Sequence, residues 1–264
     1  MKTIFQILHE KNQESSCALI PFLTAGYPNL DTTVKALYIL DRQGADIIEL
    51  GIPYADALAD GYIIQESSRV ALEQGVYIDQ VFLILEDVYM KLSAPIIIFT
   101  YYNPVLVKGI HNFVKRLANL GVKGLVIPDL PIEETDYILD LCNANDIELI
   151  LFVAPTSSQS RISYILSKSP SCIYLVSSTG VTGTRSSIDS SITDLSSYIK
   201  EKTDKLIMIG FGISDADQVS LISNWNVDGI VVGSAMIKVI ARDNTLKLLG
   251  EFCESMKAAI NCEK

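Results

Sequence analysis

The feature that most constrains this chain is a regular alternation of two kinds of segment. Short runs rich in Ile, Val and Leu, at 18–24, 46–51, 95–101, 124–129, 148–154, 172–177, 206–210 and 228–233, are separated by longer amphipathic stretches. Each run is almost continuously apolar, as parallel strands covered on both faces are, whereas half-exposed strands alternate apolar with polar. Stretches 30–43, 78–92, 110–120, 133–145, 159–167, 189–200, 215–224 and 245–260 read as helices. The first follows Asn29, a good capping residue, and stops at Gly44. Strand then helix, repeated about eight times, predicts an α/β fold of the (β/α)8 TIM-barrel type with a short additional helix at the N-terminus. The rival, an open doubly wound sheet, would carry a Gly-rich fingerprint after its first strand, but that turn reads Thr24-Ala-Gly-Tyr-Pro28. No linker, composition shift or charge block divides residues 1–264, so one domain is expected.

Composition narrows the partners. Against 21 Lys+Arg stand 31 Asp+Glu, a formal charge of −10, which repels nucleic-acid backbones over the whole surface. An anionic ligand must then be gripped locally, by backbone N–H groups. The longest apolar stretches, such as 94–99, fall far short of the ~18 residues that span a bilayer. The N-terminal apolar segment is broken by Gln6 and followed by His9, Glu10 and Lys11, unlike a secretory or transit segment. This places the protein in the cytoplasm, or in the stroma of a plastid that encodes it. The cysteines are scattered with no Cys-x-x-Cys pair, and His9 and His111 neighbour no ligand set, so neither disulfides nor a metal site is expected.

Barrel enzymes place their chemistry at the C-terminal strand ends and the loops beyond. Those positions offer Phe22 and Thr24, Glu49 with the loop 51–61, Thr100 to Pro104, Pro128-Asp129, the stretch 177–185, Gly210 to Ser214, and Gly233-Ser234. Three are small-residue turns feeding helices: Gly180-Val-Thr-Gly183, Gly210-Phe-Gly212 and Gly233-Ser234. Glycine permits close backbone approach, and helix N-termini present free N–H donors, so together they predict a phosphate site. Glu49 lies inside an apolar strand, where a carboxylate is costly unless paired, hydrated or neutral. It is either a satisfied structural carboxylate or a perturbed catalytic one. Asp60 is either a helix cap or the second member of an acid–base pair with Glu49. No lysine falls within a predicted strand, since Lys123 and Lys205 precede theirs, which argues against Schiff-base chemistry.

At these same residues the chain resembles the tryptophan synthase α-subunit family. The resemblance rests on Leu19-Ile-Pro-Phe-Leu-Thr-Ala-Gly-Tyr-Pro28, Ile48-Glu-Leu-Gly-Ile-Pro53 with Leu58-Ala-Asp-Gly61 and Gln65, Tyr101-Tyr-Asn-Pro104, Pro128-Asp-Leu-Pro131, Ser178-Thr-Gly-Val-Thr-Gly183, Gly210-Phe-Gly-Ile-Ser214 and Gly233-Ser-Ala235. It implies a lyase for retro-aldol cleavage of indole-3-glycerol phosphate to indole and glyceraldehyde 3-phosphate, in L-tryptophan biosynthesis. Glu49 would be the acid–base residue and Asp60 the acceptor for the indole N–H. Phe22, Ile64, Tyr102, Ile127, Tyr174, Thr182 and Phe211 would hold the substrate, with Leu125 read equally well as barrel core. Gly183, Gly212, Gly233 and Ser234 would hold its phosphate, and the loops 53–61 and 179–188 would close over it. The resemblance further implies a pyridoxal-phosphate-dependent β partner in an α2β2 heterotetramer, no cofactor in this chain, and docking through Pro53, Asp56, Asn103 and Pro104. Ala57 and Tyr62 stand where the family usually has proline, which removes a φ restraint from the docking loop. Two other readings stay open: a different phosphate-binding barrel enzyme, and a noncatalytic subunit that activates its partner by docking.

Overall fold

The computed structural model describes residues 2–176, 191–210 and 212–261. Strands β1 (Ala18–Thr24), β2 (Ile48–Gly51), β3 (Ile96–Phe99), β4 (Gly124–Val126), β5 (Glu148–Val153), β6 (Cys172–Val176), β7 (Leu206–Gly210) and β8 (Gly229–Val232) close in chain order into a barrel. Every neighbouring pair is parallel, including β1 with β8. Helix α1 (Ile4–Gln13) precedes β1, and α2 (Leu30–Arg42) links β1 to β2. Then come α3 (Tyr62–Glu73), α4 (Ile78–Val88), α5 (Tyr102–Lys108), α6 (Ile110–Asn119), α7 (Asp136–Asn143) and α8 (Gln159–Lys168). After β6 lie α9 (Ser191–Lys202), α10 (Ala216–Ser223), α11 (Ser234–Arg242) and α12 (Lys247–Asn261). The (β/α)8 expectation and the helix in front of it both hold.

Alternation along each strand divides the core into two layers. Ile20, Phe22, Ile97, Phe99, Val126, Ile150, Tyr174, Met208 and Val231 meet inside the barrel. Leu19, Leu23, Ile48, Leu50, Ile98, Leu125, Leu149, Leu175 and Ile230 form the layer beneath the helices. Register then decides the orientation that an apolar strand leaves open. Glu49 pairs with Phe22 on one side and Ile97 on the other, both of them inward residues, so Glu49 faces inward too.

The lower end is plugged by α1, whose Thr3–Gln6 capping box fixes its start. Its Ile4 and Leu8 are fully buried with the inner layer, pressed where Gly124 and Gly229 open β4 and β8. Below the strands, buried Asp228 accepts from the Ile207 N–H (2.7 Å), from Lys200 Nζ (2.6 Å) and from Asn12, tying α1, β7 and α9 together. Lys123 and Lys205 lie at this end, the latter donating to the Ser169 and Pro170 carbonyls (2.5 and 3.1 Å).

Several boundaries differ from the sequence expectation. The predicted helix 78–92 stops at Val88, because Tyr89 is extended and Met90 adopts φ +62°. The predicted helix 133–145 divides into a 3₁₀ turn at Ile132–Glu134 and α7, where the Thr135 hydroxyl donates to the Ile132 carbonyl (2.8 Å). The run 124–129 is a strand only through Val126. Helices α3 and α11 follow the possible cap at Asp60 and the Gly233-Ser234 turn, whereas α5 has no counterpart among the predicted helices.

Candidate active site

At the C-terminal mouth a cavity of about 410 Å³, counted out to its opening, is lined by Phe22, Glu49, Asp60, Gly61, Ile64, Phe99, Tyr174, Gly212, Val231, Gly233 and Ser234. Its apolar walls are largely aromatic, with Phe22 and Phe99 edge to face (5.8 Å between centroids, 85°). Close approach sets its shape. A Cβ on Gly51 would come within 2.6 Å of the Phe22 ring, and one on Gly210 would collide with the Tyr174 hydroxyl. Both glycines make room for the aromatic rings that line the mouth.

Glu49 is 2% exposed, and its Oε1 has no hydrogen-bond partner among the described residues. A satisfied structural carboxylate would have such partners. Burial pushes its pKa from the ordinary glutamate range to about 8, and the neighbouring Asp60 charge pushes the same way. Asp60 is 4% exposed and also raised by burial, to about 6, opposed by a hydrogen bond from Tyr101. That bond runs from Tyr101 Oη to Asp60 Oδ2 at 2.9 Å. Asp60 does not cap α3, which starts after Gly61 without a side-chain cap. At neutral pH the two carboxyls therefore hold different protonation states: Glu49 mostly neutral and able to donate, Asp60 mostly ionised and able only to accept.

The turn that carries Asp60 is held from both sides. Gln65 Nε2 on α3 donates to the carbonyls of Ala57 (3.1 Å) and Asp60 (2.9 Å), and the Ala59 N–H donates to Tyr101 Oη (3.1 Å). Ala57 is itself buried in the inner layer. These contacts take over part of the restraint that a proline at 57 would have supplied. On the same cavity, α11 begins at Ser234 with Gly233 as an N-cap lacking any side-chain cap, so its first N–H groups are free to meet an anion. Gly212 lines the same wall with φ +84°.

Of the residues expected at the site, Glu49, Asp60, Phe22, Ile64, Tyr174, Gly212, Gly233 and Ser234 come together on this one cavity. Thr182, Gly183 and Phe211, with the loop 179–188, lie outside the described residues. Two expectations are corrected. Ile127 lies in the outer layer with Leu125, beside a separate cleft next to α8, and the inward residue of β4 is Val126. Tyr102 opens α5 and packs against the outer layer, its N–H donating to Asp129 Oδ1 (2.8 Å), while Tyr101 turns inward. Both are one-residue phase errors, and in a strand one residue is the difference between the two faces. Tyr101, offered by the sequence only as part of the strand end 100–104, and Phe99, which the sequence does not single out, both join the inner layer; stepping by two from Ile97, once Glu49 is placed inward, reaches both. The docking positions also cluster: Asn103 Nδ2 donates to Tyr54 Oη (3.3 Å) across the two loops, next to exposed Asp56 and to Leu58, which is 86% exposed. Pro53 is buried and Pro104 half-buried, so the exposed part of this edge is Asp56, Leu58 and Asn103.

Fold and site together define a class: a (β/α)8-barrel enzyme whose mouth brings two unlike carboxyls and the start of a helix onto one cavity. Comparison with known proteins resolves the class. The family model for the tryptophan synthase alpha chain matches residues 8–261. The alpha chain of Gracilaria tenuistipitata var. liui is 62% identical, covering 99% of this chain and 98% of its own, and that of Pyropia yezoensis is 51% identical, covering 98% and 99%. Among solved structures, tryptophan synthase of Mycobacterium tuberculosis superposes with a TM-score of 0.92 at 28% identity over 100% of both chains. The chain belongs to the tryptophan synthase alpha chain family, and its role is that of the alpha subunit in tryptophan biosynthesis.

Proposed function

We propose that this chain cleaves indole-3-glycerol phosphate to indole and glyceraldehyde 3-phosphate, with Glu49 and Asp60 as its catalytic residues. The observation that carries the reading is the buried Glu49 carboxyl, raised to about 8 and with Oε1 left without a partner among the described residues on the wall of an aromatic-lined cavity. The flat indole would lie between Phe22, Ile64, Phe99 and Tyr174, with its phosphate at Gly212, Gly233 and the Ser234 helix start. Thr182, Gly183 and Phe211 would complete the two ends.

Neutral Glu49 gives its proton to the ring carbon that bears the side chain. Ionised Asp60 accepts a hydrogen bond from the ring N–H as positive charge spreads over the ring. The carbon–carbon bond then breaks, its electron pair returning to the ring, while the adjacent hydroxyl loses its proton and becomes the aldehyde. Glu49, now ionised, takes up that proton and is reset. Each group contributes general acid–base or electrostatic catalysis, ordinarily worth about 10²–10⁴-fold.

The proposal extends to the assembly. The solved relative from Pyrococcus furiosus is a tryptophan synthase complex, 31% identical over 92% of this chain. By that likeness a β subunit, the pyridoxal-phosphate-dependent member of an α2β2 heterotetramer, would dock on Pro53, Asp56, Asn103 and Pro104. The whole of 1–264 would then serve as one catalytic domain, itself without a cofactor. Red algal and cyanobacterial relatives suit a plastid stroma or a cytoplasm, and among the described residues no helix is long and apolar enough to cross a membrane. The test is to incubate the pure chain with indole-3-glycerol phosphate, with and without a β subunit, and follow indole. Slow cleavage alone and a large increase with β are expected. Glu49→Gln should abolish turnover while largely sparing substrate binding, and Asp60→Asn should lower turnover at least 10²-fold (about the lower bound for such a group). Near-normal turnover by Glu49→Gln would overturn the assignment.

A further inference from the structure

Tyr101 follows β3 at the point where the chain leaves the barrel, and its side chain is 2% exposed. Its ring is fixed by Phe99 (6.1 Å, 80°) on the cavity side and by Tyr54 (5.2 Å, 32°) on the other. The hydroxyl lies between two groups of the Asp60 turn, the Ala59 N–H at 3.1 Å and Asp60 Oδ2 at 2.9 Å. A phenol has one hydrogen to give, and the Ala59 N–H is already a donor, so that hydrogen can only point at Asp60. The phenol hydrogen thereby occupies one acceptor direction of Asp60 Oδ2 and orients the carboxylate, whose remaining lone pairs on Oδ1 and Oδ2 can face a ligand.

We propose that Tyr101 is a positioning residue for the cleavage reaction: it orients the Asp60 carboxylate that meets the substrate's ring N–H. This rests on the function proposed above. Among the described residues, the groups bearing on Asp60 are Glu49 from β2, Tyr101 after β3 and Tyr174 from β6, while Asp129, beyond β4, acts on Tyr101. Of these, Tyr101 is the one whose hydrogen bond favours the ionised form of Asp60.

The experiment compares the pH dependence of kcat/KM for indole formation in the wild-type chain and in Tyr101→Phe, which keeps the ring and loses the hydroxyl. In the variant the acidic limb should move up by about one pH unit, the alkaline limb set by Glu49 should stay, and kcat should fall about tenfold with KM changed less than about threefold. The substrate's own phosphate titration is common to both proteins. Site-specific replacement of Tyr101 by 3-fluorotyrosine, a stronger hydrogen-bond donor of nearly the same shape, should move the acidic limb down, and this arm decides the matter if Tyr101→Phe folds poorly. An acidic limb that stays in place in a folded Tyr101→Phe, or that fails to move down with the fluorinated ring, overturns the positioning role. Absence of indole formation by the wild-type chain with its β subunit would instead overturn the function on which it rests.

Discussion

Glu49 links stability to activity in opposite senses. Folding carries its carboxyl from the ordinary range to about 8, so between those values the folded state holds a proton that the unfolded chain has released. Stability contributed by this group is complete at acidic pH and is lost as the pH rises through about 8. Glu49→Gln removes the titration. At pH 8 and above the variant should exceed wild type by on the order of 2 kcal/mol, or about 4–8 °C in Tm, and the gain should vanish near pH 5. Thermal melts at the two pH values check this; equal Tm at both would show that Glu49 is not held neutral by burial. The same residue shows where sequence reading stops. An unbroken apolar strand carries no phase, so 48–51 cannot reveal which way Glu49 points; the resemblance named Tyr102 and Ile127, where the structure turns Tyr101 and Val126 inward. Phase becomes visible only when strands pair and a residue of known direction, such as Phe22 or Ile97, stands beside it.

At the scale of elements, the barrel separates the parts that hold it together from the parts that react. Helix α1 fills the lower end through Ile4 and Leu8, on the side opposite the Glu49–Asp60 mouth. Leu8→Ala should cost about 3 kcal/mol, read as a lower denaturant midpoint at unchanged slope, and leave kcat/KM within about twofold. A comparable loss of kcat/KM would mean that the two ends are coupled. Gly210→Ala tests the other end. The new methyl would meet the Tyr174 hydroxyl, so kcat/KM should fall at least tenfold (about the effect of displacing one aromatic wall), whereas a generic turn glycine would tolerate alanine within about twofold. The strand–helix rhythm was legible because parallel strands must be apolar throughout. Helix α5 was not, being short, and α3 and α11 were legible only at their starts, because they are short or carry polar and small residues next to the site. There the sequence answers to ligand and partner as well as to the core.

At the scale of the whole molecule, a formal charge of −10 surrounds the site proposed for a phosphorylated substrate. The long-range field opposes its approach, and the attraction is confined to the α11 start and the glycine turns. Raising ionic strength from about 0.01 to 0.15 M should therefore increase kcat/KM, by about two- to threefold, as the repulsion is screened. A fall with salt would contradict the repulsion and point to a basic funnel at the mouth. The account as a whole depends on two carboxyl groups in one barrel mouth holding opposite protonation states at neutral pH. Carboxyl-carbon NMR titration of the intact chain, selectively labelled at Glu and Asp and assigned through Glu49→Gln and Asp60→Asn, measures this directly. The expected midpoints are about 8 for Glu49 and about 6 for Asp60. A Glu49 midpoint at its ordinary value of 4.5 would leave both groups ionised at pH 7 and contradict it.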